Sequence, residues 1–505
     1  MISSLSWVPK GASKSVPSVA DPLSKEEIED MKKLLLLESD GDVESEENNE
    51  DMSVDASKQP TEIEQALGAA NAVGKKAGGS NFPDIADGLD ELNMDDYDKE
   101  DDAIDIFSMG IGNTFYPSNE LDPYLKDTND DDSEELDDMV IRSDDAIVVC
   151  AYSGDEKNQL LVYIMEDPED DSNPFVHHYI DLSGFPLCTA WLDCPINGGE
   201  KGNFVAVGMM EPGIEIWDLD ILNVNEPSLT LGGFAVEKKK KKGKKVKKSI
   251  KFKEDSHTGP VLALAWNKGY RNILASGSAD KMVKIWDVAT GKCKITMEHH
   301  TDKAIIKCFK ILAVLVQAVA WNHKEHEVLL SGSFDHTVVM RDVRVPSHAG
   351  FKWSVGADVE SLAWDPHDQH LFVASLENGM VVGFDIRTAT SSSSSALKPT
   401  FTLHAHDKNV CAVSYNPLVP NLLATGSEDK MVKLWDLSNN QPSCIASQNR
   451  KAEAVFSLSF SEDWPFLLAI AGSKGKPTLW DTSLDAGVSK RYGKYIRQNK
   501  ACAFT

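Results

Sequence analysis

From about residue 141 the chain is a succession of short, β-rich apolar runs, each bounded by Gly, Asp, Asn or Ser. Runs such as VLALAW, ILASGS and VKIWD are punctuated too often for helices and predict strands joined by tight turns. Before residue 141 this texture is missing. Asp, Glu, Ser, Asn and Gly dominate there, and apolar residues are too thin to offset the entropy of ordering the chain. The pattern predicts a long, mostly disordered arm over residues 1–140, a strand-rich part over 141–487 and a C-terminal tail over 488–505.

The strand-rich part is periodic, and the period is its most informative feature. Six segments end in an aromatic–Asp pair or its relic: IEIWD at Trp217, VKIWD at Trp286, VVMRD at Arg341, VVGFD at Phe384, VKLWD at Trp435 and PTLWD at Trp480. A second aromatic series precedes them, at Trp191, Trp266, Trp321, Trp364, Tyr415 and Phe460. The interval between the two series is 26 residues in the first unit and 20 in each of the other five. A constant interval means that two strands and their connection form a unit of fixed length. All variation falls in the return to the next unit. The steps between successive aromatic–Asp positions are 69, 55, 43, 51 and 45. The longest step holds a lysine-rich loop, 237–253, and the 51-residue step holds a Ser-rich loop, 390–397. The 55-residue step holds AIIKCFKILAVL, 304–315; without these 12 residues it shortens to 43, so the stretch reads as an insertion.

Charge sharpens the division. The 505 residues carry 80 Asp+Glu against 51 Lys+Arg, a formal −29. Residues 1–140 hold 37 acids and 10 bases, so −27 lies in the arm and −2 in the remainder. Two islands interrupt the arm. Ser24-Lys25-Glu26-Glu27 has capping-box spacing and leads into Ile28, Met31 and Leu34 to Leu37, predicting a short helix at about 24–37. The second island, Ile104 to Leu125, contains Phe107, Phe115, Tyr116 and Asp122-Pro123-Tyr124-Leu125. Such islands are either linear docking motifs or segments that pack on a neighbouring domain or on nothing. Ser39 and Thr128 each have an acid three residues downstream, the pattern acidophilic kinases prefer, which makes them candidate phosphosites.

Several classes are disfavoured. The longest apolar run, Ile311 to Trp321, is short of the ~20 residues a membrane-spanning helix needs. The start, MISSLSWVPKG, lacks the apolar stretch of a secretory signal. Eight Cys form no CxxC pair, which argues against a disulfide framework and a zinc ribbon and favours a reducing, intracellular compartment.

Units such as SHTGPVLALAWN…ILASGSADKMVKIWD and AHDKNVCAVSYN…LLATGSEDKMVKLWD resemble the WD-repeat family. The resemblance implies an all-β fold, a WD-repeat β-propeller of four-stranded blades. With a degenerate first unit, AIVVCAYS…LLVYIME, seven blades are counted. The likeness covers almost the whole chain when the WVPKG start, the acidic region with DPYL and the lysine run after the second unit are included. In the family's structural tetrad a buried Trp N–H, a hydroxyl, a His and a turn Asp are hydrogen-bonded in series. By position, His257, Ser276, Asp280 and Trp286 fill this role in one unit, and His406, Thr425, Asp429 and Trp435 in another. Between them, one unit keeps His300, Ser331 and Asp335 with Arg341 for the Trp, and the next has Asn378 and Phe384 and no His.

Ser, His and Asp together also suggest a hydrolase. The set recurs in successive repeats, however, whereas a triad needs one copy, and no GxSxG elbow, HExxH helix or phosphate loop occurs. The adjacent pairs His177-His178 and His299-His300 should point to opposite faces of a strand, which makes poor metal sites. The expectation is therefore no enzyme activity, no cofactor, no metal, no membrane and no small-molecule substrate.

Function is then expected in docking. Eleven Lys lie between 238 and 253. Lys238, Lys239, Lys240, Lys241, Lys242, Lys244, Lys245, Lys247 and Lys248 are candidates for nuclear targeting and for contact with nucleic-acid phosphates. The run through Lys248 holds no aromatic residue, which speaks against base-specific reading. Import receptors, ribosomal RNA or DNA, and the acidic arm itself are its candidate partners. The resemblance implies a scaffold of the nucleus and nucleolus in ribosome biogenesis. Its expected role is ribosomal RNA transcription at ribosomal DNA chromatin, large-subunit precursor assembly, or both, through ribosome-assembly factors and chromatin proteins. Two other readings stand beside it. Asp342-Val343-Arg344 and Asp385-Ile386-Arg387 echo the WD-x-Arg by which some members dock a cullin-type ubiquitin ligase adaptor, without the Trp. The acidic arm would also suit a histone-binding chromatin module.

Overall fold

The computed structural model describes residues 1–20, 139–166, 174–196, 198–199, 201–235, 251–300, 315–345, 350–388 and 398–503. They belong to one unit formed by Met1–Asp21 and Ser133–Thr505; a second, Pro22–Asp132, lies outside the described residues. Also outside them are the helix expected at 24–37, Ser39, Thr128, the island 104–125, Lys238–Lys248, insertion residues 304–314 and the Ser-rich loop.

Seven of the sheets, six of four strands and one of three, are the blades of a seven-bladed β-propeller, and a further two-stranded parallel pair joins Ser18–Val19 to Ile221–Leu222. Blade 3 shows why its sequence folds this way. Its strands are Val261–Trp266, Ile273–Ser278, Val283–Asp287 and Lys292–Met297, paired antiparallel in chain order. The third strand is buried along its whole length, as is most of the second, because neighbouring blades cover both faces. Both therefore read as near-continuous apolar runs rather than as an alternation. The outer strand faces solvent and alternates, KCKITM. Gly277 allows the next blade to come close: a Cβ there would lie 2.8 Å from Val316 Cγ1. Gly426 repeats the device, with Val455 Cγ1 at 2.6 Å from the position of its Cβ.

The ring closes through the N-terminus. Ile2–Val8 is a strand paired antiparallel with Ala146–Ser153, and it forms the innermost strand of blade 1. Ile2 and Leu5 bury against Ala469 and Ala471 of blade 7, while Ser6 Oγ lies 2.8 Å from Thr189 Oγ1 of blade 2. The boundary drawn at residue 141 therefore leaves one strand of the propeller in the arm. The reason is physical. A register shift between Ile2 and Ser4 places buried residues three apart, at Ile2, Leu5 and Val8, so the segment lacks the period of two. Residues 21–138 also separate it from its partner strand.

The last blade has three strands, Val455–Phe460, Leu467–Gly472 and Thr478–Asp481. The tail then continues as a helix, Ala486–Ala503, kinked at Tyr492. Asp485 caps it, its Oδ1 accepting from the Gly487 N–H at 2.8 Å. Val488 and Tyr492 bury in one core with Trp480 and Ala446, which ties the helix to blades 6 and 7.

Strand direction alternates within each blade, so the connections fall into two sets at opposite ends of the ring. First-to-second connections lie at one end and fourth-to-first returns at the other. Residues 21–138 occupy the first-to-second connection of blade 1, and the lysine run occupies the return from blade 2 to blade 3.

Candidate docking surfaces of the propeller

The tetrad residues come together inside the blades. In blade 3 the Trp286 indole donates to Ser276 Oγ at 2.8 Å, which lies 2.7 Å from His257 Nε2, and His257 Nδ1 is 2.9 Å from Asp280 Oδ2. Blade 6 repeats the chain: Trp435 to Thr425 Oγ1 at 2.9 Å, Thr425 to His406 Nε2 at 2.8 Å, His406 Nδ1 to Asp429 at 2.9 Å. Burial alone would raise the Asp280 carboxyl, but the hydrogen bond and charge of His257 hold it below the usual range. For His406, burial outweighs Asp429 and lowers the imidazole. His257 is 0% exposed and His406 1%, so neither ring has a substrate-accessible edge. The chain fastens each return to the turn between second and third strands.

Blades 2, 4 and 5 depart from this arrangement. In blade 4 both His299 Nε2 and His300 Nε2 approach Ser331 Oγ, at 2.7 and 2.9 Å, and His300 Nδ1 is 3.1 Å from Asp335. Burial opposes ionisation of Asp335, yet its bonds to His300 and Thr337 pull it down to about 2. Burial, then the neighbouring His300, lowers His299 to about 3. In blade 2 Trp217 donates to Glu215 Oε2 at 3.1 Å, and Ser183 Oγ donates to the other oxygen at 2.9 Å. Glu215, on the third strand opposite Val207 at the family's hydroxyl position, takes the acceptor role, a substitution the repeat pattern does not flag. In blade 5 Phe384 and Ala374 stand at the Trp and hydroxyl positions, and no such polar chain forms among the described residues.

The expectation that adjacent histidines face opposite ways is corrected. His177 Nδ1 and His178 Nδ1 lie 2.8 Å apart, because a register shift interrupts their strand at that point. His299 and His300 lie beyond the end of the outer strand Lys292–Met297, and their ring centroids are 4.6 Å apart. Among the described residues no group of three or more His, Cys, Asp or Glu is placed to hold a metal.

The second aromatic series has a structural meaning. Trp191, Trp266, Trp321, Trp364, Tyr415 and Phe460 all lie at the inner-strand end that leads into the first-to-second connection, and Trp7 of the N-terminal strand is the seventh member. They ring a cavity of about 730 Å³ at the mouth of the central channel. Indole N–H groups stitch neighbouring blades: Trp321 to Ala265 O at 3.0 Å, Trp364 to Ala320 O at 3.1 Å and Trp7 to Ser459 O at 2.9 Å. Lys10, Lys268, His323, Glu462 and Asp463 are among the charged and polar residues that also line it, and an ion pair joins Lys268 of blade 3 to Glu462 of blade 7.

At the opposite end, the stem of the lysine run is held as a short ladder. Ala235 N donates to Lys251 O at 2.7 Å and Lys253 N to Gly233 O at 2.9 Å. Phe234 and Phe252 stack across it at 5.6 Å while staying 39% and 41% exposed. The two Asp-x-Arg pairs fold on themselves. Arg344 donates to both oxygens of Asp342, at 3.0 and 2.6 Å, and Arg387 to both of Asp385, at 2.9 and 2.7 Å. Each presents a neutral fork rather than a free cation.

Among the described residues no helix is long and apolar enough to cross a membrane. The family described as WD domain, G-beta repeat matches residues 248–287 and 397–436. The chain is 34% identical to an uncharacterized WD repeat-containing protein of Schizosaccharomyces pombe, over 99% of this chain and 92% of that protein. It is 29% identical to periodic tryptophan protein 1 of Saccharomyces cerevisiae, over 100% and 92%. It is 26% identical to the periodic tryptophan protein 1 homolog of Drosophila melanogaster, over 77% and 76%.

Proposed function

Because the chain belongs to the WD-repeat family and matches periodic tryptophan protein 1 along its full length, we propose that it is a docking scaffold in ribosome biogenesis. The carrying observation is the extent of that likeness, which spans the acidic arm, the lysine run and the blades rather than the repeats alone. The interior supports a scaffold reading. The Ser–His–Asp sets are consumed by blade fastening, and their imidazoles are buried. What remains for function is surface: the aromatic channel mouth, the lysine run and the perimeter.

In this reading the protein resides in the nucleus and nucleolus. Lys238–Lys248 serves import receptors and touches ribosomal RNA or DNA, with partners among assembly factors of the large-subunit precursor or proteins of ribosomal DNA chromatin. Ser39 and Thr128 are phosphorylated by acidophilic kinases. The arm, at −27, competes for the cationic run and damps nonspecific binding. The ubiquitin ligase reading is weakened by the self-paired Arg344 and Arg387 and by the missing Trp. The histone reading rests on acidity alone.

Affinity purification of the full chain from nuclear extract separates the three. Large-subunit precursor factors should dominate the eluate. A cullin adaptor or core histones in their place would replace the proposal with one of the alternatives.

A further inference from the structure

Blade 7 stops one strand short. In the other six blades the third strand is covered by a fourth, and at least four of its residues are buried. In blade 7 the third strand, Thr478–Asp481, ends its sheet, and of its four residues only Trp480 is buried. The Thr482 N–H bonds back to Phe466 O beside the second strand at 2.8 Å. Backbone direction alternates along a strand, so Leu479 and Asp481 turn their N–H and C=O groups outward. Among the described residues no strand pairs with them; the Arg450 guanidinium reaches Leu479 O at 3.3 Å. The chain that follows does not fill this place. It turns, leaving Leu484 72% exposed, and continues as the helix Ala486–Ala503, which leads toward blade 6. Gly487 lies so close to Ile445 that a Cβ would sit 2.5 Å from its carbonyl oxygen, and Arg491 pairs with Asp436.

The neighbouring wall is apolar. The outer strand of blade 1 is Phe175–Asp181. Its register shift leaves Val176 opposite Tyr163 and Tyr179 opposite Leu161, so these two side chains, three apart, share one face. That face looks toward blade 7, since Tyr163 and Leu161 belong to one cluster with Ala469, Ala471 and Leu479. Val176 is 43% exposed and Tyr179 53%. On the outer strands of blades 3 to 6 the exposed positions hold Lys, Thr, Ser, His or Cys, and the outer strand of blade 2 exposes none. Polar edges protect against stray strand pairing. Apart from Asp181 at its end, blade 1 lacks that protection where blade 7 lacks its fourth strand.

We infer that an extended segment of a partner protein enters here, pairs with Thr478–Asp481 and completes blade 7 as its fourth strand. Such pairing joins main-chain hydrogen bonds to side-chain contacts. Six blades already accept a strand at this position, so the contact continues an interface built into the ring. Val176 and Tyr179 receive the apolar side chains of the segment. Charge sets one of its ends. Glu166 to Asp171, which follow the third strand of blade 1, include five acids in six residues, and Asp481 closes the third strand of blade 7 at the same end of the ring. At the other end Lys474 and Lys476 offset Asp155 and Glu156. The segment is therefore apolar at alternate positions and basic at the end nearest Asp481; the arm, at −27, has the wrong sign. The inference goes beyond the scaffold reading and stands apart from which partner supplies the strand.

The probe is a synthetic peptide of about nine residues, alternating Val and Thr, with two Lys at its N-terminal end, where a strand antiparallel to Thr478–Asp481 begins. Hydrogen exchange of the full-length protein is read at single amides. Those of Leu479 and Asp481 should exchange rapidly in the free protein and about tenfold more slowly with the peptide bound. Fluorescence anisotropy should show binding about tenfold weaker for the Val176→Thr, Tyr179→Thr protein, whose melting temperature should match wild type. A peptide with Glu in place of Lys should also bind more weakly, and one with a central Pro should not bind. Four results would overturn the inference. Amides already slow in the free monomer would mean that the chain fills the place itself. Amides slow only at high protein concentration would assign it to a second copy. No slowing with the peptide, or binding that the double variant leaves unchanged, would remove the strand from blade 7. None of these touches the ribosome-assembly reading. Conversely, a protein that takes the peptide at blade 7 but never associates with precursor particles keeps the inference and loses that reading.

Discussion

In blade 3 the Trp286 indole reaches Ser276 and through it His257 and Asp280; in blade 5 Phe384 stands at the Trp position, with Phe372 opposite and Ala374 at the hydroxyl position. Phe372 and Phe384 stack at 5.2 Å, and Trp353 of blade 4 closes on Phe372 at 5.1 Å, edge to face. The polar chain is directional. It fixes a return loop against a turn, and each bond contributes roughly 1 kcal/mol net, while an orphaned partner costs ~1–3. The aromatic stack gains from area and from ring geometry worth roughly 0.5–1.5 kcal/mol per pair, but it fastens no loop. The difference appears at the loop end of blade 5. Without a His–Asp chain there, Asp358, Glu360 and Glu377 crowd together, with His336 2.9 Å from Asp358 as counter-charge. Burial first, then Glu377, Asp358 and Glu428, push Glu360 up to about 7.

The comparison breaks most clearly at its apolar member. Phe372→Ala empties a fully enclosed ring and should cost about 3–5 kcal/mol in denaturant unfolding. A loss under 1 kcal/mol would mean that the stack does not hold blades 4 and 5. Ser276→Ala orphans both His257 Nε2 and Trp286 Nε1 and should cost about 1–3 kcal/mol. Its signature should be faster hydrogen exchange in the return before Val261, a change that Phe372→Ala does not share.

Glu360 provides the pH axis. Its folded pKa of about 7 lies above its ordinary 4.5, so the folded state binds a proton that the unfolded state releases. Stability is retained below pH 4.5 and declines as pH rises through 7. Glu360→Gln should therefore stabilise the protein at pH 8, by about 1–3 kcal/mol, and leave it nearly unchanged at pH 4.5. Equal melting shifts at both pH values would assign the effect to packing instead. The smallest effect belongs to the Asp-x-Arg pairs of blades 4 and 5. Arg344→Ala and Arg387→Ala should leave the melting temperature within about 1 °C, because exposed pairs contribute little.

How much was legible follows from where each signal lives. The seven-blade count and the tetrad residues are written in short, regular spacings, because a blade is a local structure of fixed length. The first series located Trp286 and Phe384, and the second located the channel mouth without showing that it was one. Trp7 belongs to that second series, but its strand is separated from its partner by residues 21–138 and has a register shift. Glu215 was hidden because the acceptor moved from the second strand to the third. The C-terminal helix had a readable signal in Val488, Tyr492, Tyr495 and Ile496, spaced for one helical face, which a long cationic composition masked.

The scaffold claim is tested most directly by sedimentation of the tagged full chain from nuclear lysate on a sucrose gradient, with the RNA of each fraction probed. The protein should travel with large-subunit precursor RNA and shift to the light fractions when the lysate is raised to high salt. A protein that stays in the light fractions at low salt, away from precursor RNA, would contradict a role in ribosome assembly.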